Sequence, residues 1–309
     1  MRVLVSGASG LIGSALTRSL SQEGHTVRAL VRRTVRDPAR ESVWDPERGY
    51  LAPDALDGID AVVHLAGANI AAGRWTPERQ RAIVDSRVGP TGLLAQRLAA
   101  AARPPQVWIS ASAIGFYGDR GEDEVDETAG PGAGFVAQVA QQWEAATAPA
   151  AAAGIRVVRA RFGLVLSPAG GALARLLPMF RLGLGGRLGD GRQYWSWVTL
   201  ADAVAVLVTA LADPSLTGPV NVVAPSPVTC AQFARALGQA LGRPAWLPVP
   251  ALFLRLALGQ MARELLLSGA RVRPAVLLAR DFPFTHGQLP LALRDLLAKT
   301  PGNPAVRRP

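Results

Sequence analysis

Residues 2–24, RVLVSGASGLIGSALTRSLSQEG, decide the fold of this chain. Val3-Leu4-Val5 is a short apolar run of the kind found in a buried strand. Leu11, Ile12, Ala15, Leu16 and Leu20 then recur at helical spacing. Between strand and helix stand Gly7, Gly10 and Gly13, spaced G-x-x-G-x-x-G. Glycines at such a junction permit a tight turn and let a pyrophosphate approach the open amides of the helix start. The order of strand, glycine turn and helix predicts the first unit of a dinucleotide-binding fold. Gly7, Ser9, Gly10, Leu11, Ile12 and Gly13 are its expected cofactor contacts, and Gly24 ends the helix.

Working outward, HTVRALVR (25–32), AVVHLAG (61–67), QVWISAS (106–112) and GIRVVRARFGLVLSP (154–168) read as further strands separated by helix-length segments. That alternation predicts an α/β chain with a Rossmann-type, doubly wound parallel sheet. Residues 1–167 form the expected NADP-binding domain, with later strands contributed by 198–224. Crowded Gly, Pro and aromatic residues make 168–197 a substrate loop, with Tyr194, Trp195 and Trp197 as its substrate contacts. A mainly helical C-terminal substrate lobe follows over 225–300, and 301–309 reads as a flexible tail.

The end of the second strand speaks to the cofactor. An acidic residue there would bind the ribose 2′-hydroxyl of NAD, but the sequence runs Val31-Arg32-Arg33 with no acid until Asp37. Guanidinium groups pair with a 2′-phosphate through charge-assisted hydrogen bonds, so Arg32 and Arg33 favour NADP. Leu65, Ala66 and Gly67, at the end of AVVHLAG, are small or apolar and would lie against the adenosine side. His64 reads as structural, since no other histidine or acidic spacing nearby suggests a metal site.

Composition narrows the classes further. The 309 residues are 49% hydrophobic and 18% charged, within the globular range. A single cysteine, Cys230, excludes an intramolecular disulfide and suits a reducing cytoplasm. The start lacks a signal-peptide pattern. The longest apolar stretches, VTLADAVAVLVTALA and LPVPALFLRLALGQMA, fall short of an uninterrupted span of about 20 residues and read as buried helices, not membrane segments. The net charge of +10 is almost all arginine, with Lys299 the only lysine. The arginines are scattered, which argues against a specific nucleic-acid surface. The acidic run DRGEDEVDE lacks EF-hand spacing and reads as a solvated loop; no metal is expected. A small molecule is the expected partner, and the oligomeric state is open.

SGASGLIGSAL, HLAGANIAAGRW, DSRVGPTGLLAQRL, ISASAIGFYG, FRLGLGGRLGDGRQYWSWV and VRPAVLLARDFPF with LPLALRDLL together resemble epimerase family proteins of the SDR39U1 and YfcH type. These are extended short-chain dehydrogenase relatives carrying a C-terminal segment of unknown function, which 247–297 resembles. The resemblance implies an NADP-binding Rossmann domain with a substrate lobe behind it. It also places cofactor contacts at Arg32, Leu65, Ala66, Arg87 and Val165. Arg87 makes independent sense as a phosphate or ribose clamp.

In active extended dehydrogenases a Ser or Thr bonds the substrate oxygen, while a Tyr acts as acid or base beside a Lys. Ser112 falls where the family pattern puts the hydroxyl, with Ser110 as second choice. Phe135 stands about where the tyrosine would be. The sole lysine is residue 299 and the tyrosines are Tyr50, Tyr117 and Tyr194, so composition excludes the usual Tyr-Lys pair. Tyr117, five residues after Ser112, is the candidate replacement acid or else an aromatic wall of the pocket. Glu144 is a further candidate or a fold-holding ion pair. Two readings result: an NADP-dependent oxidoreductase or epimerase acting on a small polar substrate, or a non-catalytic NADP-binding protein serving as redox sensor or partner-binding module.

Overall fold

The computed structural model describes residues 1–298. Its centre is β1 (Arg2–Ser6), where Val3, Leu4 and Val5 are fully buried, as a strand covered on both faces requires. Beside it on one side lie β2 (Thr26–Val31), β3 (Glu41–Asp45) and the short β4 (Tyr50–Leu51). On the other lie β5 (Ala61–His64), β6 (Val107–Ala113), β8 (Arg156–Phe162) and β12 (Gly218–Val222). Neighbours run parallel except for β3 and β4, which pair antiparallel across residues 46–49. The strand order reverses between β1 and β5, and in such sheets the crevice beyond the strand ends at that point receives the ligand.

Helices cover both faces. α1 (Leu11–Gln22) and α6 (Leu200–Ala212) bury Leu16, Leu20, Val206 and Leu207 against one side of the sheet. α2 (Pro77–Ala99) and α4 (Ala148–Ala152) cover Leu4, Val62 and Trp108 on the other, through Leu94, Leu98 and Ala150. Thr199 starts α6 by accepting the Asp202 amide with its side chain, so this apolar segment begins at a sharp cap.

Three segments differ from what the sequence predicts. GIRVVRARFGLVLSP is two strands: after β8 the chain breaks at Gly163, and β9 (Leu164–Leu166) pairs instead with β11 (Trp197–Thr199). A Cβ at Gly163 would come within 2.5 Å of the Ser196 carbonyl oxygen and 2.6 Å of a Val223 methyl, so only glycine permits the crossing. The region 168–197 is not all loop, since Gly171–Arg181 forms α5 and Tyr194–Trp195 forms β10, paired with β13 (Val228–Thr229). Leu173, Leu177 and Phe180 of α5 pack against α7 (Cys230–Leu241) and α10 (Leu289–Ala298), in a second core that composition did not reveal.

The third concerns the apolar segments. α6 is buried as expected, but α8 (Ala251–Leu258) exposes Leu252, Phe253 and Leu256 by 68%, 63% and 69%. Hydropathy reports a preference for burial, not whether another element is there to provide it. Beyond α8 come a π-helical turn at Ala262–Leu266, β14 (Arg271–Val272) and α9 (Ala275–Leu278). Among the described residues no helix is long and apolar enough to cross a membrane, and no group of three His, Cys, Asp or Glu side chains could hold a metal. The expected tail at 301–309 lies outside the described residues.

Candidate functional site

The turn after β1 is built by contacts that only glycine tolerates. Gly7 has φ of +72°, and a Cβ there would lie 2.8–2.9 Å from the backbone of Leu65 and Ala66, so the end of β5 presses directly on the turn. A Cβ on Gly13 would overlap the Gly7 carbonyl oxygen. At Gly10 the nearest atom is that same oxygen, 3.2 Å away, which leaves the space over the helix start clear. α1 has no side-chain cap and no acidic residue in its first turn. Gly10 N–H donates to Gly7 and Ser14 N–H to Gly10, and the amides of Leu11, Ile12 and Gly13 have no acceptor among the described residues. Three open amides at the positive end of a helix fit a pyrophosphate.

Of the other expected cofactor residues, Leu65 and Ala66 press on this turn and Val165 lies across from Leu11. Leu11 lies against Gly170 and Gly171, and a Cβ on Gly171 would be 3.4 Å from both Leu11 and the Val165 carbonyl oxygen, so Val165 closes the far wall. Gly67 sits 3.5–3.7 Å, measured from a Cβ built on it, from the Arg87 guanidinium and stem. Arg87 is buried, donates to Ile83 and Ala68 carbonyls at 3.1 and 2.9 Å, and stacks 5.2 Å from the Trp143 ring. Burial, with Arg79 adding to it, pulls its pKa down to about 10. It therefore holds the loop after β5 in place.

Arg32 and Arg33 part company. Arg32 is exposed and has no hydrogen bond or ion pair among the described residues, so it is free to meet a 2′-phosphate. Arg33 is instead clamped by both Glu41 oxygens at 2.9 and 2.6 Å and donates to the Thr34 carbonyl. Its hydrogen bonds, helped by the Arg36 amide, hold the Glu41 carboxyl down at about 2. The expectation that both arginines serve the phosphate gives way because β3, which the sequence reading missed, brings Glu41 alongside.

Behind the end of β6 lies a buried polar network. Ser112, 2% exposed, donates to Glu144 Oε1 at 2.7 Å. Arg161, opposite Ser112 on β8, grips both Glu144 oxygens at 2.7 and 2.9 Å. Its Nη1 donates to the Tyr117 hydroxyl at 2.8 Å, and that hydroxyl donates to Asn221 Oδ1 at 2.8 Å. The guanidinium also lies 3.6 Å over the Phe116 ring. Burial, the largest single influence, would lower the Arg161 pKa, but the hydrogen bonds and charges of Glu144 and Tyr117 together outweigh it and leave it raised.

Tyr117 is fully buried, and burial pushes its phenol up against the opposing pull of Arg161 and Asn221. The expected acid or pocket wall is thus a buried tie between strands, because the chain after β6 turns inward over residues 114–117. Of the two sequence readings of Glu144, the ion pair is the one the geometry realises. Ser110, the second choice for the hydroxyl, is buried and turned to the Ala111 carbonyl at 3.4 Å.

The remaining expectations sort in the same way. Trp197 is fully buried, with its indole N–H on the Ser226 carbonyl at 2.9 Å, so it is a core residue and not a substrate contact. Tyr194 and Trp195 are half-buried; Trp195 packs edge-on to Phe233 and Tyr194 faces Arg271. His64 lies buried beside Ser6, with Nδ1 2.5 Å from its hydroxyl, and burial drives its pKa down to about 3, so it stays neutral and structural.

The acidic run is a solvated loop over 119–123, as expected, but its end is a docking seam. Glu124–Val125 forms β7, which pairs with β14, while Glu122 meets Arg192 and Glu124 meets Arg271. Buried Glu127 accepts the Asn221 and Val276 amides at 2.9 and 3.3 Å. Its cationic and amide partners lie 70 to 150 residues downstream, roughly, where spacing rules cannot reach.

One carboxylate escaped the sequence reading. α3 (Phe135–Ala145) starts with Phe135 where the tyrosine would stand, and Val139, where the lysine would be, is buried. Half-buried Glu264, from the π-helical turn, accepts the Val136 amide at 2.8 Å and so caps this helix. A Cβ on Gly134, which has φ of +104°, would stand 3.1 Å from Glu264 Oε2. Gln260 donates to the other oxygen at 2.7 Å and accepts from Gln80 of α2 at 2.8 Å. No local pattern links residues 135 and 264, so nothing in the sequence could have paired them.

A parallel sheet with a glycine cradle at its switch point, followed by a helical segment docked on an acidic seam, defines a dinucleotide-binding protein of the extended dehydrogenase kind. Residues 3–223 match the NAD dependent epimerase/dehydratase family, and residues 249–296 match a domain of unknown function, DUF1731. The chain belongs to that epimerase/dehydratase family. It is similar to the epimerase family protein Mb2239 of Mycobacterium bovis, 47% identical over 291 residues, covering 94% of this chain and 96% of the relative. The human epimerase family protein SDR39U1 is 37% identical over 302 residues, covering 96% of this chain and all of the relative. The crystal structure of that human protein (isoform 2) with NADPH superposes with a TM-score of 0.89 at 35% identity, covering 97% of this chain and 100% of the other.

Proposed function

We propose that this chain binds NADP(H) and uses it in oxidoreductase or epimerase-like chemistry on a small polar substrate. The observation that carries the reading is the cradle: open amides of Leu11, Ile12 and Gly13 beneath Gly10, with unpaired Arg32 at the end of the next strand. The NADPH in the human relative's structure supports it. When bound, the nicotinamide supplies or accepts hydride. The chain's own part is to hold the cofactor, to exclude water with the elements of 168–298, and to move one proton. Ser112 already donates its proton to a carboxylate, so toward a substrate it could offer only acceptor lone pairs. Tyr117 has both hydrogen-bonding directions filled. The proton therefore falls to Glu264, seated beside Phe135 at the start of α3. A second reading, a non-catalytic NADP-binding protein, is favoured by Phe135 and Val139 standing in the tyrosine and lysine places.

The cofactor half is tested by titrating NADPH and NADH. The expected result is tighter NADPH binding, with Arg32→Ala costing roughly 10- to 100-fold of NADPH affinity and little of NADH affinity, the scale of a charge-assisted bond. Arg33→Ala should change the ratio much less. Equal affinities in the unaltered protein would defeat the reading. The chemical half is tested by incubating the NADPH-loaded protein with fractionated small metabolites. Oxidation above the rate of free NADPH supports an enzyme. Complete silence, with no epimerised product, leaves the binding-protein reading.

A further inference from the structure

A concavity of about 550 Å³ lies in the C-terminal part, and none of its lining residues belongs to the cradle described above. Three of its walls carry arginines from separate segments: Arg187 from the loop after α5, Arg235 from α7 and Arg243 from the turn that ends α7. None of the three has a hydrogen bond or ion pair from its side chain among the described residues, and no carboxylate lines the space. Gln239 and the indole of Trp246, 74% exposed, complete the rim.

The walls are held by backbone and not by the arginines themselves. Ala231 N–H donates to Gly191 at 3.0 Å, Val249 N–H to Arg187 at 2.9 Å, and Arg243 N–H to Gly238 at 2.9 Å. A Cβ on Gly238 would come within 2.6 Å of the Ala245 methyl, so glycine is what lets the turn fold tightly onto α7. The shape therefore exists before any ligand arrives.

Arg187, Arg235 and Arg243 line one concavity that no carboxylate lines, so an anion seated there meets positive charge from three segments. A single carboxylate could satisfy one fork. Phosphate groups offer more acceptor oxygens and more charge in less space, and the volume lies within the range of small-ligand sites. We propose that this pocket binds a small anion carrying two or more phosphate charges, with Arg187, Arg235 and Arg243 as its contacts. Trp246 adds a stacking face for an attached planar ring. The site accounts for part of the arginine excess that the dinucleotide reading leaves unused. A concave pocket with arginines on several sides suits a small ligand better than the even phosphate track of a nucleic acid.

The test uses the full chain saturated with NADPH, so that the cradle is occupied, and calorimetric titration with inorganic pyrophosphate and with ATP. The expected result is saturable binding of at least one at one site per chain, weakened at least tenfold by Arg235→Gln and by Arg243→Gln, with NADPH affinity and thermal stability unchanged. Tighter ATP binding that falls to the pyrophosphate level in Trp246→Ala would identify a nucleotide as the source. Equal binding of both would identify the phosphate groups alone. The proposal is overturned if neither anion binds, if binding survives the Arg187→Gln/Arg235→Gln/Arg243→Gln variant, if it competes with NADPH, or if only a single-stranded oligonucleotide binds.

Discussion

Arg161→Leu lowers the unfolding free energy by about 3–5 kcal/mol, the scale of breaking a buried ion pair from one side. Arg161 and Glu144 are 4% and 6% exposed, so water cannot replace the lost guanidinium. Glu144 would retain the Ser112 hydroxyl and a distant Arg159 contact at 4.0 Å, too little to compensate a buried carboxylate. The Tyr117 hydroxyl loses a donor in the same change. Urea denaturation of the cofactor-free protein measures the effect. The double variant Arg161→Leu/Glu144→Leu should cost less than the sum of the single changes, since it removes both charges together. A loss below about 1 kcal/mol in Arg161→Leu would show that the pair contributes little, contrary to this reading of the network.

Glu264→Gln leaves the fold intact and lowers turnover by roughly 100-fold or more, the usual contribution of a positioned acid or base. Glutamine keeps an oxygen that can accept the Val136 amide, so the cap on α3 survives while the titratable proton is lost. NADPH affinity should not change, because none of the side-chain contacts of Glu264, which are to Val136, Gln260 and Gly134, involves the glycine turn or Arg32. The split between kcat and KM separates a chemical role from a purely structural one: loss of a reacting group lowers kcat with little change in thermal stability, whereas loss of the helix cap lowers both stability and cofactor affinity. Turnover that persists at full rate in Glu264→Gln sinks the assignment, while Tyr117→Phe should leave turnover intact and alter only stability.

How far the sequence could be read depended on the distance over which each property is decided. The β1–α1 unit was legible because its signals are local: an apolar run, three glycines and a helical repeat within some twenty residues. The missing Tyr-Lys pair was legible because composition cannot be repaired by folding. Arg33 was misread because its partner Glu41 sits on a strand too short and polar to be recognised. Ser112 and Tyr117 were rightly placed near the end of one strand, yet their exposure was not a property of that strand. Arg161 and Glu144, on other elements, close over them.

By itself, then, the sequence determined the Rossmann class and the strand, glycine turn and helix order of its first unit, since these follow from covalent geometry and near-neighbour spacing. Only the tertiary structure decided which arginine is free, which hydroxyls are already committed, that Glu264 reaches α3, and that the acidic run docks the C-terminal segment. Each of those outcomes requires groups on different elements to meet, and where they meet in a buried place, as Glu144 and Arg161 do, an ionisable side chain must find a partner and its role is set by whichever partner arrives.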